Sequence, residues 1–153
     1  MIIFRVDDRL IHGQVVENWL AAFSINHIVV SSRAVVSDDM RKNIMKFSVP
    51  DGVLLDFIDP PDLIKFIFDN KKNYLVLFES LEDVFLSVES GVRIERLNLG
   101  GIHYAKGRNF SMGRVVFLSE AERNILKKLI DAGIDVYMQS IPQEASVKLR
   151  CDI

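Results

Sequence analysis

Short apolar runs alternate with amphipathic stretches along the whole chain. Runs of strand type cover residues 2–6, 27–30, 53–58, 74–78, 94–99, 114–118 and 134–138. Several are apolar without interruption, as expected of strands buried on both faces. The last alternates Ile134, Val136 and Met138, which predicts an edge strand. Between the runs, Val15, Val16, Trp19, Leu20 and Phe23 form one helical stripe, and Leu81, Val84, Phe85 and Val88 form another, closed by Gly91. Asp59-Pro60 places a cap before a proline at a first helical position. Ser119 with Glu122 is a capping box. It opens a helix carrying Ala121, Ile125, Leu126, Leu129 and Ile130, which ends at Gly133.

This alternation predicts one domain over residues 1–153 of the α/β class. The expected architecture is a three-layer α/β/α sandwich with a mostly parallel central sheet of 6–7 strands. In such sheets ligands bind beyond the C-terminal ends of the strands. The loops after Val6, Val30, Ile58, Phe78 and Leu99 are therefore where chemistry is expected.

Composition narrows the function classes. With 153 residues, 49% of them hydrophobic, the chain builds a core without a disulfide or metal staple. The net charge of -2, from 19 basic and 21 acidic residues, lacks the basic excess of a nucleic-acid binder. The single cysteine, Cys151, forms no internal disulfide and no Cys-rich zinc site, and reads as an unremarkable thiol in a reducing cytoplasm. The start of the chain shows no signal peptide, and no apolar run approaches the ~20 residues of a membrane helix. Work at a membrane would go through a partner. Neither a cofactor nor a metal is expected, since His12, His27 and His103 lack matching acidic spacing.

The loop after the first strand reads Asp7-Asp8-Arg9-Leu10-Ile11-His12-Gly13-Gln14, with a helix starting right behind it. His12 thus stands at a helix N-terminus, where unpaired amides and the helix dipole favour an anion. The same positive end favours a neutral ring. Arg9 adds a planar guanidinium suited to phosphate oxygens, and Gly13 lets the backbone approach a bound group. The combination is an imidazole nucleophile beside an anion cradle, suited to phosphoryl transfer. Asp7 and Asp8 read as a capping or hinge pair. Arg5, in an otherwise apolar strand, is expected to point to the loop or pair with an aspartate there. The catalytic candidates are His12 and Arg9, with Arg5, Asp8, Gly13 and Gln14 around the phosphate.

Gly100, Gly101, Gly107 and Gly113 punctuate a long polar stretch expected to flank the site or meet a partner. His103 lies within it and is a weaker candidate; His27 reads as structural. Ser80 is an N-cap whose position after the fourth strand keeps it a candidate beside Asn98, Gly100 and Gly101. One rival is a receiver-type signalling domain phosphorylated on Asp56 or Asp59 with Mg²⁺, using Asp7-Asp8, Ser80 and Lys106. His12-Gly13 and Arg9 have no part in that scheme. A dinucleotide fold would need three spaced glycines after the first strand, where only Gly13 stands.

The stretch from Arg5 to Val15, RVDDRLIHGQV, closely resembles the active-site motif of the mannose/sorbose-family IIB component of the bacterial phosphotransferase system, with Val6 where isoleucine is usual. Trp19, the Arg41-Lys42 pair, Asn98-Leu99-Gly100-Gly101 and Gly107-Arg108 extend the resemblance over essentially the whole chain. Arg33-Ala34 departs from the acidic residues that often follow the serine after the second strand. The resemblance implies that a phosphorylated IIA protein gives its phosphoryl group to His12, at Nδ1. Phosphorylated His12 would pass it to a sugar arriving through membrane IIC/IID components, so the chain would act as a phosphohistidine–sugar phosphotransferase. It also implies a cytoplasmic protein attached peripherally to the permease, with no metal or nucleotide of its own. The sugar is not legible. A homodimer through an exposed last strand is an arrangement the sequence leaves open.

Overall fold

The computed structural model describes residues 1–150 and 152–153; Cys151, expected to be an unremarkable thiol, lies outside the described residues. The expected α/β architecture is found. The central sheet has seven strands in the order β3-β2-β4-β1-β5-β8-β9. These are β1 (Ile2–Asp7), β2 (His27–Ser31), β3 (Leu54–Ile58), β4 (Tyr74–Phe78), β5 (Arg96–Gly101), β8 (Asp135–Met138) and β9 (Val147–Lys148). All neighbours run parallel except β8 and β9. β1 is the fourth of the seven and is paired on both sides, to β4 and to β5.

Strand alternation divides the interior into two cores. On one face Phe4, Val6, Val76, Phe78, Leu97 and Leu99 pack against α3 (Leu81–Glu89) and α4 (Glu120–Asp131). On the other, Ile28, Val30, Leu75 and Leu77 pack against a π-wound helix (Val15–Leu20), α1 (Arg33–Val36) and α2 (Asp39–Ser48). Asp59-Pro60 opens only a 3₁₀ turn (Pro60–Lys65). The Ser119–Glu122 capping box forms as expected at the start of α4. No helix among the described residues is long and apolar enough to cross a membrane.

Two expectations are corrected. The run at 114–118 does not join the main sheet. Its ordered part, β7 (Val116–Leu118), folds back on β6 (Phe110–Met112) as an antiparallel ribbon. Gly113, at φ +66°, supplies the left-handed residue between them that a side chain would resist. Nor is β8 an edge: β9 pairs with it, and Leu149 donates its amide to the Val136 carbonyl. The edge offered to another subunit on this side is therefore two residues of β9.

Candidate active site

β1 delivers the site from the middle of the sheet. Its pairing with β5 shifts register between Val6 and Asp7, so that Asp7 stands beside Gly101. The chain then turns: the Leu10 amide donates to the Asp7 carbonyl at 2.9 Å and the Asp8 amide to the Gly101 carbonyl at 3.0 Å. Leu10 adopts φ +56°, a conformation that costs a non-glycine residue about 1–3 kcal/mol. Burial of Leu10 and Ile11 in the core under the π-wound helix holds it there. That kink lifts His12 to the helix entrance, where its carbonyl accepts the Val16 amide.

Alternation along β1 puts Arg5 and Asp7 on the same face, toward Trp19, with Asn98 beside them from β5. Arg5 is fully buried. It pairs with Asp7 Oδ2 at 2.9 Å and donates to Asn98 Oδ1 and to the carbonyls of Gln139 and Ser140. Its guanidinium also lies 4.6 Å over the Trp19 ring, whose Nε1 donates to the Ser140 carbonyl. The expected pairing of Arg5 with a loop aspartate is found. Arg5 is not placed for direct phosphate binding: it is buried beneath the loop, with Nη1 and Nη2 engaged and Nε enclosed without a hydrogen-bond partner. Burial draws the guanidinium pKa down against the opposing pull of Asp7, but an arginine remains charged.

Asp7 is the hub. Its buried carboxylate accepts from His12 Nε2 at 3.0 Å and from the Arg9 amide at 3.2 Å, and the Arg9 guanidinium lies 3.6 Å away. Burial would raise this carboxyl. The hydrogen bond from His12 and the charge of Arg5 outweigh it and hold Asp7 below the ordinary carboxylate range. An ionised carboxylate only accepts, so Nε2 carries a ring hydrogen, and in the neutral ring Nδ1 is the nitrogen with the lone pair. Asp7, read from sequence as a cap or hinge, thus sets the tautomer of His12. The signal was local: Asp7 follows Arg5 by two residues on one strand face.

Arg9 keeps about half its side chain in solvent and reaches Gln14 Oε1 at 3.5 Å. Gly13 and Gln14 are exposed at the helix entrance. Asp8, expected beside the phosphate, is engaged by the loop at 103–108. It accepts from the backbone amide of His103 at 2.7 Å and from His103 Nδ1 at 2.6 Å, with Arg108 at 3.6 Å. Arg108 continues to Glu122 and to the His103 carbonyl. The glycine stretch therefore flanks the site as expected, and it brings His103 with it.

Gly100 packs on the Arg5 guanidinium and Gly101 opens onto Asp7 and His103. Ser80 remains a cap, accepting the Asp83 amide at 3.1 Å. Asp56 is held by His27 at 2.7 Å and Asp59 by Arg33 at 3.2 Å. The strand order separates β3 from β1 by two strands, so Asp56 and Asp59 do not meet Asp7-Asp8 as a receiver site requires. Among the described residues no group of three or more His, Cys, Asp or Glu could hold a metal ion.

The family model of the PTS system sorbose subfamily IIB component matches residues 1–151. This chain belongs to that family. The sorbose-specific EIIB component of Lacticaseibacillus casei is 30% identical over 146 residues, covering 93% of this IIB chain and 88% of the relative. The mannose-specific EIIAB component of Escherichia coli (strain K12) is 31% identical over 149 residues, 95% of this chain but 46% of its own length. The IIB chain thus spans about half of that two-part relative. The solved N-acetylgalactosamine IIB component of Streptococcus pyogenes superposes with a TM-score of 0.87 at 26% identity, covering 95% of this chain and 93% of the other. IIB components are phosphotransferases of sugar uptake that work with IIA and IIC/IID partners. No receiver domain is indicated.

Proposed function

We propose that this IIB chain is a phosphoryl carrier whose covalent intermediate forms at Nδ1 of His12. The observation that carries the reading is the 3.0 Å contact between His12 Nε2 and the buried Asp7 carboxylate. It fixes the ring with Nε2–H inward and the Nδ1 lone pair available, a job that partner carboxylates do for imidazoles in general.

The donor is the phosphohistidine of a IIA protein or domain. The Nδ1 pair attacks phosphorus, the new P–N bond forms, and the donor's P–N bond breaks back onto its own ring. Asp7 accepts the Nε2 hydrogen throughout and compensates the positive ring. Arg9 and the amides at the start of the helix over residues 13–22, with Gly13 and Gln14 at its entrance, stabilise the transferring oxyanions. The group then passes to a sugar carried by a IIC/IID permease, with the chain on the cytoplasmic side and attached peripherally.

Incubation with phosphorylated IIA, followed by mapping of the label, tests this. The label is expected on His12, stable in alkali and lost in acid. His12→Ala is expected to fold normally and take up none. Label on an aspartate, or retained in His12→Ala, overturns the reading.

A further inference from the structure

Two consecutive carboxylates hold two imidazoles by opposite nitrogens. Asp7 takes His12 by Nε2 at 3.0 Å, and Asp8 takes His103 by Nδ1 at 2.6 Å. Asp8 only accepts when ionised, so Nδ1 of His103 carries the hydrogen and Nε2 bears the lone pair. The backbone amide of His103 donates to the same carboxylate, and Arg108 grips the His103 carbonyl at 2.6 Å, so the ring is fixed from both ends. Its Cε1 lies against Gly101. His103 keeps 43% of its side chain in solvent, and Nε2 is the ring nitrogen that Asp8 does not take.

His103 also stands close to the carrier histidine's own carboxylate. A methyl built on Gly101 would meet His103 Cε1 at 3.0 Å and Asp7 Oδ1 at 3.7 Å. Both groups thus border the space that a side chain at position 101 would fill. The charged groups around the ring are Asp8 and Arg108, with Asp7 across Gly101 and Glu122 behind Arg108.

Resting on the carrier reading above, we infer that His103, held by Asp8, is the general base of the second half of the relay. The first half moves phosphorus between two imidazoles and needs no base. The second moves it to a hydroxyl, which must lose a proton. A hydroxyl oxygen pair forms the O–P bond. The P–Nδ1 pair returns to His12, which leaves as neutral imidazole with Nε2–H still on Asp7. The hydroxyl proton goes to Nε2 of His103, forming an imidazolium over Asp8, and is later released to water.

His103→Asn tests this, because its amide N–H can replace Nδ1–H toward Asp8 while Nε2 is deleted. Each half-reaction is measured separately: labelling of the chain by phosphorylated IIA, then discharge to mannose, sorbose or N-acetylgalactosamine in vesicles carrying the cognate IIC/IID pair. Labelling is expected within about twofold of the parent, and discharge to slow about 10²-fold, the usual share of a general base. In His103→Ala, added free imidazole is expected to restore discharge and leave labelling unchanged. Parental discharge in His103→Asn overturns the inference, as does an equal slowing of both halves, which would make His103 only a loop tether. If His103→Asn does not fold, absence of imidazole rescue in His103→Ala overturns it. Failure of the parent chain to label on His12 would instead count against the carrier reading, and the two failures are told apart by the first step alone.

Discussion

Gly100 lies flat against Arg5: a Cβ built on the glycine would overlap the guanidinium group. The backbone of β5 thus forms one wall of the slot that holds the buried arginine under the active-site loop.

Gly100→Ala is therefore expected to be far more damaging than an added methyl in a deformable core. Overpacking typically costs about 1–3 kcal/mol. Displacing Arg5 would also leave the Asp7 charge buried without its partner, a loss of about 3–5 kcal/mol. A fall of about 3 kcal/mol or more in unfolding free energy is expected by urea denaturation. An unchanged midpoint would show that the slot can open without loss.

Arg9 acts at the surface of the same network. Arg9→Ala is expected to leave the unfolding free energy from urea denaturation within about 0.5 kcal/mol of the parent, since surface substitutions usually do. It should slow labelling by phosphorylated IIA about 10²-fold, as loss of an oxyanion donor commonly does. Arg9→Lys should recover part of the rate, because charge returns without the planar fork. Parental labelling rates in Arg9→Ala would remove the arginine from the chemistry.

The depressed carboxyl of Asp7 gives a signed pH dependence. Its folded pKa lies below the ordinary value of 3.8, so its contribution to stability is complete above that value. That contribution is lost as pH falls through the lower folded value. Asp7→Asn is expected to melt well below the parent at pH 7, with the gap closing progressively below about pH 4. A gap that persists unchanged in acid would mean that shape, not charge, sets the role of Asp7.

Asp83 carries the opposite sign. Burial pushes its carboxyl above the ordinary value, against the hydrogen bonds from the Arg33 amide and Ser80. The charged form therefore weighs against the fold once pH exceeds the raised value. Asp83→Asn keeps an oxygen for the Arg33 amide. It is expected to be at least as stable as the parent at pH 7, with any gain fading below about pH 4. Thermal melts at both pH values check this; marked destabilisation at pH 7 would contradict it.

The strands at 27–30 and 74–78 were legible because uninterrupted apolar runs have few alternatives in a domain of this size. The Ser119–Glu122 box and the His12 loop were legible because each is local in sequence. The π winding of Val15–Leu20 was not, since its apolar stripe fits an ordinary helix equally well. The β6–β7 ribbon escaped because Phe110-Ser111-Met112 is too short to show a period. The partners of Asp8 escaped for another reason. His103 and Arg108 are far away in sequence, and only the β1–β5 pairing brings them to the loop. The role of Asp7 was within reach, through its i, i+2 relation to Arg5 on a strand.

The central position of β1 also bears on how the molecule breathes. Phe4 to Val6 are paired to β4 on one side and β5 on the other, under two separate cores. Amides there should exchange with deuterium only through global unfolding, whereas the two-residue β9 should exchange by fraying. The histidine that forms and gives up a bond in each turnover is thus anchored to the part of the sheet that opens last.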